Sequence, residues 1–506
     1  MSWHTIASRE PRSLALVDGA TSITFGELRS VVARITSAFD ALDVARGQTV
    51  AVVLPNCWEL IAVELAALST ERYFLPVNNH LTADEIGYIL RDSNPSLLIT
   101  STELLPVIEA AARSAGGGII DRIYTTGTSG RRFDHIWIGR SDVDPVGRRA
   151  GSIIYYSSGT TGRPKGIRRE LTGTTPEQES RKSVDAWAQL GLQPGPGVHG
   201  VVAPLYHAAP NGMALGALAR GVTLVFSPGR RFDADGFLTF ATAIGMTESF
   251  MVPTMFARLL RLPTSQREAF DPSHLRCIVH AGAPCPIPVK RQMIEWWGPV
   301  VAEFYGSTES SVTTTVTSQE WLDAPGTVGR PRPGCAIEIR DRAGELVPSG
   351  EEGTICIIGS PKFEYIGDSA KTRECWEGGR LRLGDIGRVD DEGRLFILDR
   401  RSDLILTGGV NVYPAEIELA FHSHPLVQDI VVIGVPDDEW GQRVVAIVQP
   451  VDTADMATLA TDLAQHAAPV LASFKQPREY VIVDEIPRMP TGKVNRLAVR
   501  EQLIEG

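Results

Sequence analysis

The chain has 506 residues, enough for about two to four domains and for a core that needs no disulfide staples. Its 49 Lys and Arg stand against 60 Asp and Glu, a formal charge of −11, which excludes a nucleic acid or an anionic membrane as main partner because both demand a basic face. With 43% hydrophobic and 22% charged residues, the composition is that of a globular protein and not of a disordered or fibrous one.

Taken from the N-terminus, MSWHTIASREPRS carries charges where a signal peptide needs an apolar run. No apolar stretch approaches the roughly 18–20 residues of a membrane span, so a cytoplasmic protein is expected. TFGELRSVVARITSAFDAL and WELIAVELAALST have helical periodicity and flank the strand-like TVAVVLP. From about Gly151 to Phe304, strand-like runs (IIYYS, VTLVFS, ESFMVP, LRCIVHAG, VVAEF) alternate with amphipathic ones (MALGALAR, ADGFLTFATAI, TMFARLLRL, PVKRQMIEWW), the rhythm of parallel βαβ units. Within it, Gly195-Pro196-Gly197-Val198-His199-Gly200 matches GxGxxG, but a strand follows where a dinucleotide site needs a helix, so a turn is expected.

After Gly306 the pattern changes to strands separated by Gly/Pro turns, CAIEIRDRAGELVPSGEEGTICIIG, which predicts an antiparallel, β-barrel-like subdomain. From about Arg400, PAEIELAFHS and DMATLATDLAQHAAP read as helices among the strands DIVVIGV, RVVAIVQP and EYVIVDEI. The expected fold is therefore α/β: a large N-terminal domain, 1–399, of two doubly wound βα subdomains plus the barrel-like one, then a small α/β domain, 400–506. Cys57, Cys277, Cys285, Cys335, Cys356 and Cys375 form no CxxC pair, which predicts reduced thiols and neither a disulfide framework nor a zinc site.

The most informative segment is YSSGTTGRPKG at 156–166, after the strand GSIIY. Its glycines, hydroxyls and Lys165 can surround a polyphosphate with backbone N–H groups, O–H groups and an ammonium. The spacing is not that of a Walker A loop, and a flexible surface turn is the alternative. Other chemistry-bearing blocks are AGAPCP at 281–286, EFYGSTE at 303–309, LRLGDIG at 381–387, LDRRSDLILTGGVNVYPAEIE at 398–418 and PRMPTGKVNR at 487–496.

In this order and at these spacings, the six blocks resemble the adenylate-forming superfamily of acyl-CoA synthetases, aryl-CoA ligases, nonribosomal adenylation domains and luciferases, over nearly the whole chain. The resemblance implies that Ser157, Ser158, Gly159, Thr160, Thr161, Gly162 and Lys165 surround the phosphates of ATP. It groups Gly282, Ala283, Glu303, Phe304, Tyr305 and Gly306 around the nucleotide, with Tyr305 stacked on adenine. Thr308 is implied at the α-phosphate, Glu309 at Mg²⁺, and Asp385 and Arg400 at the ribose. Lys493 is implied to enter the active site and bridge carboxylate and α-phosphate. The small domain of the family rotates between two half-reactions. Its pivot, Asp or Lys in familiar members, falls here on Ser402, and Gly408 and Gly409 match the loop that swings in to admit the pantetheine arm of CoA.

Amino-acid-activating relatives place an Asp after an aromatic residue; the matching pair here is Tyr206-His207, which leaves an α-ammonium without a counter-charge. The pair is similar to that of acyl- and aryl-CoA synthetases, where the ring flanks the acyl carboxylate, although a satisfied buried histidine is the plain alternative. Small residues nearby, Ala208, Ala209, Gly212, Ala281, Gly282, Ala283 and Ser310, suggest room for a sizeable acid. Arg168 and Arg169 replace a more usual aliphatic pair and either meet the 3′-phosphate of CoA or lie in solvent. The expected function is an ATP-, Mg²⁺- and CoA-dependent ligase acting on a small-molecule carboxylic acid. An amine or a carrier-protein thiol is the alternative acceptor. A non-catalytic adenylate-binding module is expected to lack Lys493 or Glu309, and both are present.

Overall fold

A computed structural model of the chain describes residues 2–157, 164–229, 232–400, 403–407, 410–421, 424–437, 440–488, 494 and 496–503. Two sheets build the N-terminal body. The five strands Ile123–Thr126, Leu97–Ser101, Thr49–Val53, Tyr73–Pro76 and Ser152–Ile153, in that spatial order, are all parallel. Thr49–Val53 is buried along its whole length, which is why TVAVV is continuously β-branched or apolar instead of alternating. Helix Phe25–Ala41 packs against helix Trp58–Leu68. It begins with a capping box in which Thr24 and Glu27 satisfy each other's backbone N–H groups.

The second sheet has nine strands. Its centre is parallel, running Val301–Ser307, Cys277–His280, Glu248–Met251, Val198–Val201, Thr223–Phe226 and Leu14–Asp18 in spatial order. Antiparallel strands close both edges: Thr21–Thr24 on one side, Ser311–Val316 and Arg330–Pro331 on the other. The GxGxxG match is the turn leading into Val198–Val201, with Gly195 at φ 133°. Where a barrel-like subdomain was expected, Ala336–Arg340, Gly353–Ile358, Trp376–Glu377, Arg380–Val389 and Leu395–Arg400 form an antiparallel five-stranded sheet.

The C-terminal part pairs Val427–Asp437 antiparallel to Gly441–Pro450, with Glu479–Ile482 parallel to the latter. Helices Pro414–Phe421, Leu459–Val470 and Arg496–Leu503 accompany this sheet. Among the described residues, each buried apolar cluster lies wholly on one side of residue 400: two hold only residues beyond it and four only residues before it. Contacts across the divide include the Tyr413 hydroxyl donating to Glu352 Oε2 at 3.0 Å, the Ala415 N–H donating to Asp399 Oδ2 at 3.1 Å, and an Arg261–Gln428 hydrogen bond. No described helix is long and apolar enough to cross a membrane. All six cysteines are free.

Candidate active site

The strand Val301–Ser307 and the turn after it carry the densest set of expected site residues. Gly306 lies so close to the neighbouring strand that a Cβ there would meet Ser311 O at 2.0 Å, so only glycine lets the two strands approach at this point. Ser311 itself has φ 60°, a left-handed conformation costly for a residue with a side chain. The Ser310 side chain turns inward, accepting from Ser307 N at 3.0 Å and from the Thr313 hydroxyl at 3.1 Å, and so closes the turn.

Tyr305 donates its hydroxyl to Asp385 Oδ2 at 2.6 Å. Asp385 lies in Arg380–Val389, in register with Arg400 of Leu395–Arg400 across the antiparallel pair. The fold thus unites an aromatic ring and a buried carboxylate from blocks 80 residues apart. A carboxylate can accept from two vicinal hydroxyls, the chemistry a ribose needs.

Glu309, in the turn, accepts from the Tyr365 hydroxyl at 2.9 Å through Oε1. Tyr365 belongs to the short strand Glu364–Tyr365, which pairs with Lys165–Arg168 just after the glycine-rich loop. The Lys165 ammonium sits 5.3 Å from the Tyr365 ring centroid and bonds Asp368 Oδ2 at 3.0 Å. Burial and then the nearby Glu309 push the Tyr365 hydroxyl pKa up, so it stays a donor. The Lys371 N–H and the Lys165 ammonium hold Asp368 below the usual carboxylate range. A hard divalent cation takes oxygen ligands, and magnesium typically uses one or two carboxylates together with substrate phosphates. One turn offering the Glu309 carboxylate and the Thr308 hydroxyl fits that pattern. Among the described residues no group of three or more His, Cys, Asp or Glu forms an all-protein metal cage.

Two members of the implied nucleotide set turn elsewhere. The Glu303 side chain is sealed in the core, bonded to Lys290 Nζ at 2.5 Å and lying 3.5 Å from His280 Nε2. Burial raises its pKa, and the Lys290 ammonium opposes that. Phe304 is a core aromatic, edge-on to Trp187 at 5.8 Å and 6.4 Å from Phe250. Gly282, at φ 90°, faces open space, with Ala283 beside it.

His207 stands at the N-cap of helix Ala208–Arg220, its ring 4.5 Å from that of Tyr206. Burial pushes the Tyr206 hydroxyl up to about 12. One turn on, fully buried Asn211 accepts from the Tyr155 hydroxyl at 2.8 Å and donates to Glu64 Oε2 at 2.9 Å. Glu64 is fully buried, its other oxygen lacks a partner, and desolvation raises its pKa to about 8.

The room expected from small residues is partly filled. Trp187 lies against Gly212 and Gly216, where a Cβ would meet its ring at 3.6 and 2.5 Å, and its indole N–H donates to Gly212 O at 3.1 Å. Ser310 and Ala281 are likewise buried in the protein interior. The paired arginines part ways, Arg168 staying at the solvent-exposed surface and Arg169 leaving it. Arg168 pairs with Glu364, and Arg169 turns inward onto the turn of Thr308 and Glu309. Ser158–Gly162, Ser402, Gly408, Gly409 and Lys493 lie outside the described residues, as does the side chain of Arg400. Tyr365 and Asp368 escaped sequence reasoning because their block, FEYIGDS, has no chemical spacing; the only local signal is Asp368 as N-cap of helix Ser369–Glu374.

Residues 3–363 match the AMP-binding enzyme family, and residues 416–493 match the C-terminal domain of AMP-binding enzymes. The chain belongs to this adenylate-forming family. It is 29% identical to the long-chain-fatty-acid–CoA ligase FadD13 of Mycobacterium tuberculosis over 98% of this chain and 96% of the relative. To the fatty acid–[acyl-carrier-protein] ligase ScoC of Streptomyces coeruleorubidus it is 31% identical, over 98% and 94%. Among solved structures it is similar to the o-succinylbenzoate CoA synthetase of Bacillus subtilis in complex with its acyl-adenylate intermediate, with a TM-score of 0.81, 26% identity and coverage of 98% and 97%.

Proposed function

We propose the following division of labour within this AMP-forming acid–CoA ligase. A carboxylate oxygen attacks the α-phosphorus of ATP in line and pyrophosphate leaves. The CoA thiol then attacks the acyl carbon, releasing AMP. The acyl-adenylate is a mixed anhydride with a good leaving group, so the second step needs mainly positioning. Tyr305 stacks on adenine while Asp385, with Arg400, holds the ribose. Lys165 and the hydroxyls and N–H groups of Ser157–Gly162 surround the phosphates, and Thr308 meets the α-phosphate. Glu309 holds Mg²⁺, which when bound neutralises phosphate charge. Lys493 steadies the negative charge that develops as the carboxylate attacks. Tyr206 and His207 flank the acid.

The reading assigns 1–399 to a nucleotide and acyl domain and 400–506 to a mobile domain pivoting at Ser402. It is supported by the absence of any apolar cluster common to both among the described residues, so that rotation exchanges polar contacts and exposes no core. The acid is taken to be apolar or aromatic, with CoA as acceptor in the cytoplasm; a carrier-protein thiol remains the second reading because a relative is named for it.

The observation that carries the proposal is the convergence of Tyr305, Thr308 and Glu309 on a single strand and turn, bridged by Tyr365 to Lys165 and by Tyr305 to Asp385. Pyrophosphate release screened over fatty, aromatic and polycyclic acids, with products weighed by mass spectrometry in the presence of CoA or amines, tests it. Acid-dependent pyrophosphate and a CoA thioester are expected, and Gly409→Leu should retain the first and lose the second. Release of an adenylate that only amines consume overturns the CoA assignment.

A further inference from the structure

Arg169 is the residue of the site that neither a motif nor the expected chemistry accounts for. It follows strand Lys165–Arg168, four residues beyond Lys165, and its backbone carbonyl accepts from the Tyr73 hydroxyl at 3.0 Å. From there Nη2 reaches across to three atoms of the turn: Thr308 O at 2.6 Å, Glu309 O at 3.2 Å and Ser311 Oγ at 3.1 Å. Its Nε is buried without a hydrogen-bond partner, an unfavourable position for a guanidinium unless the contacts at the far end compensate. Those contacts fall on the stretch where the backbone is strained: Ser311 is left-handed, and Gly306 presses against its carbonyl.

We propose that Arg169 is a positioning residue for Mg·ATP. By holding the carbonyls of Thr308 and Glu309 it sets where the Thr308 hydroxyl and the Glu309 carboxylate stand relative to the phosphate loop that ends at Lys165. Because the clamp is anchored beside the strand Lys165–Arg168, that strand and the turn of Thr308 and Glu309 are registered against each other. This inference rests on Glu309 being the metal carboxylate.

The test is calorimetric titration of the full-length enzyme with Mg·ATP in the absence of acid, for Arg169→Met, Glu309→Gln and the double variant. Arg169→Met is expected to weaken Mg·ATP binding about tenfold, the scale of losing hydrogen bonds to a charged donor. Acid affinity should stay within about twofold, the usual scatter of uncoupled sites. In the Glu309→Gln background the further loss should shrink to within about twofold, because both changes disable one device. Wild-type affinity in Arg169→Met, or an equal loss in both backgrounds, overturns the proposal. Wild-type affinity in Glu309→Gln instead removes the metal reading on which it rests. If Arg169→Met does not fold, Arg169→Lys carries the same test, since its shorter arm keeps the charge but draws the donor back from the two carbonyls.

Discussion

Glu64 is a fully buried carboxyl with a hydrogen bond from Asn211 and a pKa raised to about 8 from an ordinary 4.5 by burial. The native chain therefore holds a proton here that the unfolded chain has already released, so this group's contribution to stability falls as pH rises from about 4.5 to about 8. Glu64→Gln keeps the acceptor for Asn211 and removes this titration; its melting temperature should decline less steeply with rising pH across that window than the wild type's. An equally steep decline in the variant would place the effect elsewhere. Asp385 bears on nucleotide affinity. Asp385→Ala removes the acceptor of the Tyr305 hydroxyl as well as the proposed ribose contacts. Hydrogen bonds to a charged group contribute about 1.5–3 kcal/mol each, so the KM for ATP should rise by at least about tenfold with the KM for acid little changed. Unchanged ATP binding by calorimetry makes Asp385 structural.

The element that decides the site is the strand Val301–Ser307 with its return through Ser311–Val316. The register shifts between Tyr305 and Gly306, and this irregularity accompanies the turn from which Thr308 and Glu309 are presented. Gly306→Ala would drive a Cβ into Ser311 O, separating the strands where the register changes. The expected cost is about 1–3 kcal/mol, the range for overpacking, read as a lower urea midpoint at unchanged slope. Adenylation should fall further than this loss of stability explains, because the turn moves with the strand. In helix Ala208–Arg220, Gly212 and Gly216 admit Trp187, so these small residues serve packing.

For the whole molecule, the polar contacts across residue 400 and the absence of a shared apolar cluster among the described residues permit one part to turn against the other. A lysine delivered by such a turn should matter in only one half-reaction. Lys493→Ala is expected to slow acid-dependent pyrophosphate release about 10²–10³-fold, the usual effect of one electrostatic group at a transition state. Thioester formation from supplied acyl-adenylate should persist. Equal loss in both steps removes the alternating role.

Element types and the family were legible along the chain because both rest on local signals. Strand runs such as VTLVF, capping pairs such as Thr24 with Glu27, and the block YSSGTTGRPKG each lie within a few residues. Tyr305 and Asp385 each stand in a recognisable block, but the hydrogen bond that joins them was not legible there. What sequence left open were the partners of side chains whose neighbours come from distant segments. Nothing local distinguishes Glu303, committed to Lys290, from Glu309, bonded by Tyr365. Nothing local says that Arg168 faces Glu364 while the next residue turns inward onto the carbonyls of Thr308 and Glu309. A hydrogen bond between positions 139 residues apart depends on how strands are ordered in the sheets, and that order is decided by burial summed over the whole fold.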